Sequence, residues 1–498
     1  MPAVTIRPLA SSTINASSGT NHGCRPVIRS SVHPARPSFG SGESCARRTS
    51  ALNRARARAS VARPRRRLSP SPRSRGSVMV VPQTMPSSVG TEAGDPDRRT
   101  EAPMKTSATR ILTTHVGSMP RPESIRALLR ARLGGQTVAE SDLSARVAEA
   151  VTDAVRRQAQ VGIDVVSDGE MSKASFLAYA DERLTGFVTP DSDVPASNAG
   201  GSWARRIDTR REWRAFREYY EDYLPRAMPP SALPTVCRGP IAYKGQQLLE
   251  RDLATFKAAL EGVSVQDAFV PAIAPAMVGR GQNQYYKTEE EYVVAIAEAL
   301  RTEYRAIVDA GFILQIDDPG LGETWDMMIP APALEDYRRM QARNLEALNH
   351  ALSGIPEDRV RYHLCWGSWQ GPHVHDLGLR DIVDLVLRVK AQAYSIEAAT
   401  PRHSYEWRVW EDVKLPDGKV LIPGVIAHTT AVVEHPETIA ERIMNFARLV
   451  GRERVIAGAD CGFAQGALYQ RQHPSVMWAK FAALVQGARL ASERLWRT

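Results

Sequence analysis

From residue 111 onward the chain alternates short apolar runs with long amphipathic stretches. The runs read as strands at 111–116, 164–168, 235–243, 269–275, 312–317, 360–366, 393–398, 420–426 and 455–460. The stretches at 140–161, 251–262, 288–310, 333–353, 379–390, 436–450 and 475–495 repeat apolar residues at helical spacing. Strand and helix in turn mark βα units and a buried parallel sheet. The expected fold class is α/β, a (β/α)8 (TIM) barrel. Nine candidate strands exceed the eight that such a barrel needs, and 235–243 is expected to lie outside it. The pattern lapses at about 188–234. There TPDSDVPASNAGGSW reads as a loop and REWRAFREYYEDYL as a short helix. This insertion is expected over the barrel mouth, where long ordered loops act as lids.

Composition divides the chain at about residue 103. Residues 1–103 hold 17 Arg, no Lys and five acids, a net +12 that leaves −3 for the remainder of a chain whose formal charge is +9. This Ser-, Pro- and Arg-rich leader has one aromatic residue, Phe39, and cannot bury enough surface to fold, so it is expected to be disordered. A transit peptide, a polyanion-binding tail and sequence upstream of a true start at Met104 are competing readings of it. The body, 104–498, is mildly acidic and offers no nucleic-acid surface. No apolar run reaches the roughly 18 residues of a membrane span. Five cysteines form no disulfide framework; Cys24 and Cys45 lie in the leader and Cys237 reads as a core thiol. The expected location is cytoplasmic, or an organelle if the leader directs import.

The remaining cysteines end apolar runs. His363 and Cys365 close VRYHLCWG, Glu397 closes AYSIEA and Cys461 closes VIAGADCG. Parallel barrel strands all end on one face, so residues about 100 apart converge there. An imidazole, two thiols and a carboxylate make a competent Zn²⁺ set. A carboxylate within AYSIEAA is costly unless paired or bound to metal. Asp460, next to Cys461, is a candidate to hold a ligand in orientation. His373 and His375 in GPHVHD are competing ligands, expected to be substrate-side or solvent-facing. A metal carrying two thiolates is a weak Lewis acid. It suits ionising a thiol for alkylation better than hydrolysis.

Other strand ends are acidic. QIDDPGLGE places Asp317, Asp318 and Glu323 there, and VVSDGE places Asp168 and Glu170. Such acids either cap helices or form a pocket for an ammonium group. Gly117 and Ser118 in TTHVGSMPRP could bring backbone N–H groups to a carboxylate. Together these describe an amino-acid thiol facing zinc. His428 in PGVIAHTT reads as a proton donor or a structural histidine; His115 is equally open.

The motifs VGSMPRP, SDGE, QIDDPGL, HLC, SIEA, PGVIAH and ADCGF, in this order from about 107 to 497, resemble the C-terminal catalytic barrel of cobalamin-independent methionine synthases. The resemblance implies zinc on His363, Cys365, Glu397 and Cys461, and homocysteine held by Val116, Gly117, Ser118, Glu170 and Asp317. It implies folate near Glu323 and proton donation by His428. The implied enzyme is a 5-methyltetrahydropteroyltriglutamate–homocysteine S-methyltransferase-like protein of methionine biosynthesis. Its partners would be homocysteine and a methylated folate or another methyl carrier, and it would be a monomer or homodimer. The family's QIDEPAL is QIDDPGL here, the N-terminal barrel has no counterpart, and no Trp lies between Trp213 and Trp325 to pack on folate. The chain is also similar to single-barrel relatives that add coenzyme M to epoxides. A zinc alkyltransferase for another thiol or electrophile is thus the alternative, and a polyanion-binding protein with an inert barrel is a third.

Overall fold

A computed structural model describes residues 103–133, 135–188, 207–227, 235–280, 282–467 and 471–497. The leader and the TPDSDVPASNAGGSW loop lie outside the described residues. Eleven strands appear in chain order: β1 (Leu112–Thr113), β2 (Val165–Val166), β3 (Phe187–Val188), β4 (Val236–Cys237), β5 (Asp267–Ile273), β6 (Gln282–Asn283), β7 (Ile313–Asp317), β8 (Val360–Leu364), β9 (Ala393–Ile396), β10 (Val420–Ile426) and β11 (Ile456–Ala459). Eight form one parallel sheet in the order β1-β11-β10-β9-β8-β7-β5-β2. The two edges meet where Asp164 N–H donates to Thr113 O at 3.1 Å and Thr114 Oγ1 donates to Val165 O at 3.0 Å. The sheet is therefore a nearly closed (β/α)8 barrel. The ninth run, 235–243, lies outside it as expected: β4 pairs with β3 and β6 in a separate sheet.

Each long barrel strand is almost wholly buried because helices cover its outer face and side chains fill its inner one. The period of two sorts these faces. Leu112, Val165, Phe269, Ile313, Ala393, Val420 and Ile456 make an apolar floor with Met104. One step up β8 stands Arg361, its Nη1 on Thr114 Oγ1 (3.0 Å), its Nη2 on His115 O (2.7 Å) and its guanidinium 4.0 Å above the Phe269 ring. Burial pulls this arginine down to about 9. The next inward position on β8 is His363. Register sets it opposite Asp317 of β7 and Ser395 of β9.

The helices Glu140–Val161, Glu289–Asp309, Leu334–Ala351, Pro436–Val450 and Pro474–Leu495 follow the sequence pattern closely. Their starts have ordinary causes. The Thr288 hydroxyl accepts from Glu291 N–H, and Pro436 and Pro474 begin theirs. Gly162 ends the first with a φ of 98°. The stretch at 251–262 starts earlier and runs Gln246–Ala259. The stretch at 379–390 breaks into Leu379–Asp381 and Val383–Val386. Its β-branched Ile382, Val383, Val386 and Val389 resist helical rotamers, and bonds such as Arg388 N–H to Leu385 O tighten it to three-residue turns. The predicted helix of the insertion is two, Arg211–Ala215 and Arg217–Ala227, broken at Phe216. Among the described residues no helix is long and apolar enough to cross a membrane.

His115 is held as one tautomer. Its Nε2 meets Gln158 Oε1 at 2.7 Å, and its Nδ1 accepts from Gly117 N–H at 3.1 Å. It is therefore a neutral ring that shapes the 116–118 loop. Burial lowers it from 6.5 to about 3. Above pH 6.5 it is neutral folded or unfolded. Below that the unfolded chain binds a proton that the folded one refuses, so stability falls as pH drops from about 6.5 toward 3. Denaturation at stepped pH should show this slope, and His115→Asn should reduce it; an unchanged slope in the variant would assign the loss to other groups.

Candidate metal centre

The chemistry-bearing residues gather at the C-terminal ends of the barrel strands. His363 Nε2 or Nδ1, Cys365 Sγ and Cys461 Sγ lie within 4.8 Å of one another, and all three residues are buried. The two sulfurs are 3.4 Å apart. His363 Nδ1 lies 3.2 Å from Ser395 Oγ, whereas Nε2 is buried with no partner. With the proton on Nδ1, the lone pair of Nε2 is available to a metal. The hydrogen bond that the Cys365 thiol donates to Cys461, burial, and the charges of Cys461 and Glu397 push that thiol well above its ordinary value. Burial pulls His363 down to about 3. A neutral imidazole beside two buried thiols, with Cys365 held protonated, fits a thiophilic dication such as Zn²⁺.

Glu397 is placed differently from the expectation. It is not one of the group within 4.8 Å. Its Oε1 accepts from Thr400 Oγ1 at 2.9 Å and its Oε2 from Trp366 N–H at 3.2 Å. In this structure it ties the Cys365 strand end to its own. Asp460 does not bond the ligands either. Its Oδ1 accepts from Ala398 and Ala399 N–H (2.8 and 2.7 Å) and its Oδ2 from Thr400 N–H (2.8 Å). One carboxylate thus docks the loop after Glu397 onto the end that carries Cys461. Only glycine fits beside it at 424: a Cβ there would meet Asp460 Cα at 2.7 Å and N at 2.8 Å, besides Oδ1.

Beside this group lies an acidic pocket. Asp317 is pushed well above its ordinary value by burial and by Glu170. Glu170 Oε2 is buried without a partner, and its backbone sits at φ 55°. Lys173 lies nearby, yet its Nζ bonds Pro271 O at 2.6 Å and covers the Tyr179 ring. Two desolvated carboxylates with one committed ammonium leave room for a second cation. Gly117 approaches Pro271 and Glu170 so closely that a Cβ would stand 2.6 and 3.2 Å away, and its φ is 126°. The expectation that Gly117 N–H receives a substrate carboxylate is not met, because His115 takes that donor. Val116 O accepts from Gln315 at 2.6 Å. Ser118 is buried against Gly462, and its carbonyl receives Phe463 N–H at 2.9 Å.

His428 is buried with neither ring nitrogen partnered among the described residues. Burial and the cations Arg471, His373 and Lys480 hold it well below its ordinary value. Glu323 is closed off. Arg210 of the insertion takes Oε1 and Arg280 takes Oε2 at 3.0 Å, which pulls the carboxyl down to about 2. The described residues of the insertion bond the segments that follow β7 and β8. Arg211 donates to Trp325 O (2.6 Å), Glu212 N–H to Asp326 (3.0 Å), and Trp369 Nε1 to Tyr220 (2.9 Å). Ile207, Trp213, Tyr220, Leu224 and Trp369 form their own apolar cluster. The GPHVHD turn is another correction: the His373 side chain is largely buried, paired with Asp376 and stacked on Trp369. Sequence reasoning missed Ser395, Gly424 and Arg210. Of these only Gly424, a glycine inside an apolar run, carried a visible signal.

The sequence matches the model of the family described as cobalamin-independent synthase, catalytic domain, over residues 111–202 and 272–481. A methionine synthase of Sulfolobus acidocaldarius is 24% identical over 363 residues, 72% of this chain and 87% of the relative. One of Saccharolobus islandicus strain Y.N.15.51 is 25% identical over 390 residues, 77% of this chain and 96% of the relative. Both relatives are thus about one barrel long. The solved B12-independent methionine synthase of Shewanella sp. W3-18-1, in complex with selenomethionine, shares the fold. It has a TM-score of 0.57 at 18% identity, over 78% of this chain and all of that one. A putative B12-independent methionine synthase from Listeria monocytogenes gives 0.52 at 19%, over 76% and 98%.

Gly424→Ala should displace Asp460 and cost about 1–3 kcal/mol of stability. It should also weaken Co²⁺ binding, because Cys461 follows Asp460 directly. Wild-type denaturation and wild-type cobalt titration together would remove Asp460 from the support of this site.

Proposed function

This chain belongs to the cobalamin-independent methionine synthase family, and on that premise we propose that it is a zinc-dependent thiol methyltransferase that converts homocysteine to methionine. The catalytic unit is residues 104–498, with 188–234 as an insertion. The observation that carries this reading is the buried convergence of His363, Cys365 and Cys461 beside the Glu170–Asp317 pocket.

His363, Cys365 and Cys461 would hold the zinc, with Glu397 as a fourth candidate ligand. The metal supplies ionisation of the substrate thiol near neutral pH. Glu170 and Asp317 bind the substrate ammonium, whose charge offsets the burial and the Glu170 repulsion that raise Asp317. The thiolate sulfur then forms a bond to the methyl carbon. The bond from that carbon to the carrier breaks, and its electron pair stays on the carrier's nitrogen. His428 is neutral in its cationic surroundings. It takes up a proton for that nitrogen when an anionic group of substrate or carrier offsets Arg471 and Lys480. The barrel depth and the insertion exclude water from the exchange.

One observation favours a second reading of the methyl donor. A carboxylate already shared by Arg210 and Arg280 is not free to accept from a pterin ring, and breaking a buried pair costs several kcal/mol. A donor that bypasses Glu323, or an electrophile other than a methyl-folate, fits this mouth better than the folate contact implied by resemblance.

The test uses the full-length protein. Zinc content is measured, then methionine formation with methyltetrahydrofolate (mono- and triglutamate) and with methylcobalamin, each as sole donor. One zinc and turnover on one donor are expected, with both lost in Cys461→Ser; full turnover in a zinc-free Cys461→Ser protein would refute the proposal. Glu170→Gln should keep the metal and raise the homocysteine KM by about tenfold to a hundredfold, the size of a lost hydrogen bond to a charged group. An unchanged KM would put the amine elsewhere.

A further inference from the structure

We propose that His373, Asp376 and His403 form a charge clamp, with both imidazoles held as imidazolium ions, that fixes the two loops carrying Cys365 and Glu397. His373 and Asp376 lie in the loop after β8, and His403 lies in the loop after β9. A single oxygen, Asp376 Oδ2, receives His373 Nδ1 at 2.9 Å and His403 Nε2 at 3.0 Å. The other nitrogen of each ring also faces an acceptor. His373 Nε2 is 3.1 Å from Trp369 O, and His403 Nδ1 is 3.4 Å from Glu406 Oε1.

A carbonyl or an ionised carboxylate can only accept, and a neutral imidazole has only one N–H to give. A neutral ring at either position would therefore set a lone pair against an acceptor. Two doubly protonated rings satisfy all four contacts, and Asp376 with Glu406 balances their charge. The rings also lie flat on indoles, His403 on Trp366 at 4.0 Å and His373 on Trp369 at 4.5 Å, an arrangement that favours a cation. Trp366 directly follows Cys365, and its N–H holds Glu397 Oε2. Its indole Nε1 donates to Leu377 O at 2.6 Å, just past Asp376. The clamp thus grips both loops through one tryptophan.

The surrounding charges agree. His373 faces Asp376 in its own loop, Glu212 on the insertion and Glu397 after β9, and it opposes protonation of His428 after β10. His403 faces Asp376, Glu406 and Glu397. Against burial, their carboxylate partners raise the two rings to about 9 and about 10. The imidazolium state therefore persists through neutral pH and is lost only as pH rises through that range.

The role at the metal centre rests on the proposed function, but the protonation state does not. Full-length protein carrying ¹⁵N in its 11 histidines is examined by ring-nitrogen NMR at pH 8. His373 and His403, assigned by His373→Gln and His403→Gln, should each show two ring N–H groups. In Asp376→Asn both should fall to one, and the Co²⁺ dissociation constant should rise about tenfold or more, the scale of lost support behind a ligand. His373→Gln, which keeps a donor without the charge, should weaken Co²⁺ similarly, while His373→Arg should restore part of the loss. This second pair serves if Asp376→Asn does not fold. Neutral rings in the wild-type protein, or wild-type Co²⁺ affinity in uncharged variants, would overturn the clamp. Intact rings and Co²⁺ binding with no methyl transfer would overturn the proposed function and leave the clamp standing.

Discussion

Two thiols, an imidazole and a nearby carboxylate share one desolvated pocket at the top of this barrel, and the repulsion that thiolate and carboxylate charges would exert on one another there is the constraint around which the rest is organised. Cys365 keeps its proton unaided, since Cys461, burial and Glu397 all oppose its ionisation. A dication bound as proposed would reverse that balance. Rigidity of the site comes from the paired polar groups around it. Ser395 turns His363, Thr400 and Trp366 hold Glu397, and Asp460 gathers three backbone N–H groups from the neighbouring loop. Gly424 leaves the space in which that carboxylate sits.

The mouth above the pocket follows a different logic. The described helices of the insertion reach over the helix Gly320–Met327 and the loop carrying Trp369 to Val374. Arg210 lies over the Trp369 ring and pairs with Glu323, so a single side chain links the insertion to both segments. Chemistry at the floor of the mouth and recognition at its rim therefore depend on separate residues. A change in the insertion alters the rim without touching His363, Cys365 or Cys461.

Much of this was legible in the residues. Alternating apolar runs and amphipathic stretches located the barrel strands and most of the helices, and the surplus run at 235–243 was correctly set aside. The ends of β8 and β11 announced the ligand group, since parallel strands deliver their last residues to one face. The split of 379–390 was hidden, because its apolar spacing suits a helix while its branched side chains do not. Glu397 was rightly marked as a buried carboxylate needing a partner, but the partners turned out to be Thr400 and a backbone N–H.

What the sequence determined by itself was the inventory and its order: which strand ends carry donors, which carry acids, and that a parallel barrel would bring them together. These follow from local periodicity, which one chain displays without reference to its neighbours in space. Tertiary structure alone decided how the inventory is used. It assigned Gly117 N–H to His115 rather than to substrate, Glu323 to two arginines, and one oxygen of Asp376 to two histidines. Each of these is a choice among partners 2 to 113 residues apart, set by ångström distances and competing hydrogen-bond donors that no linear pattern encodes.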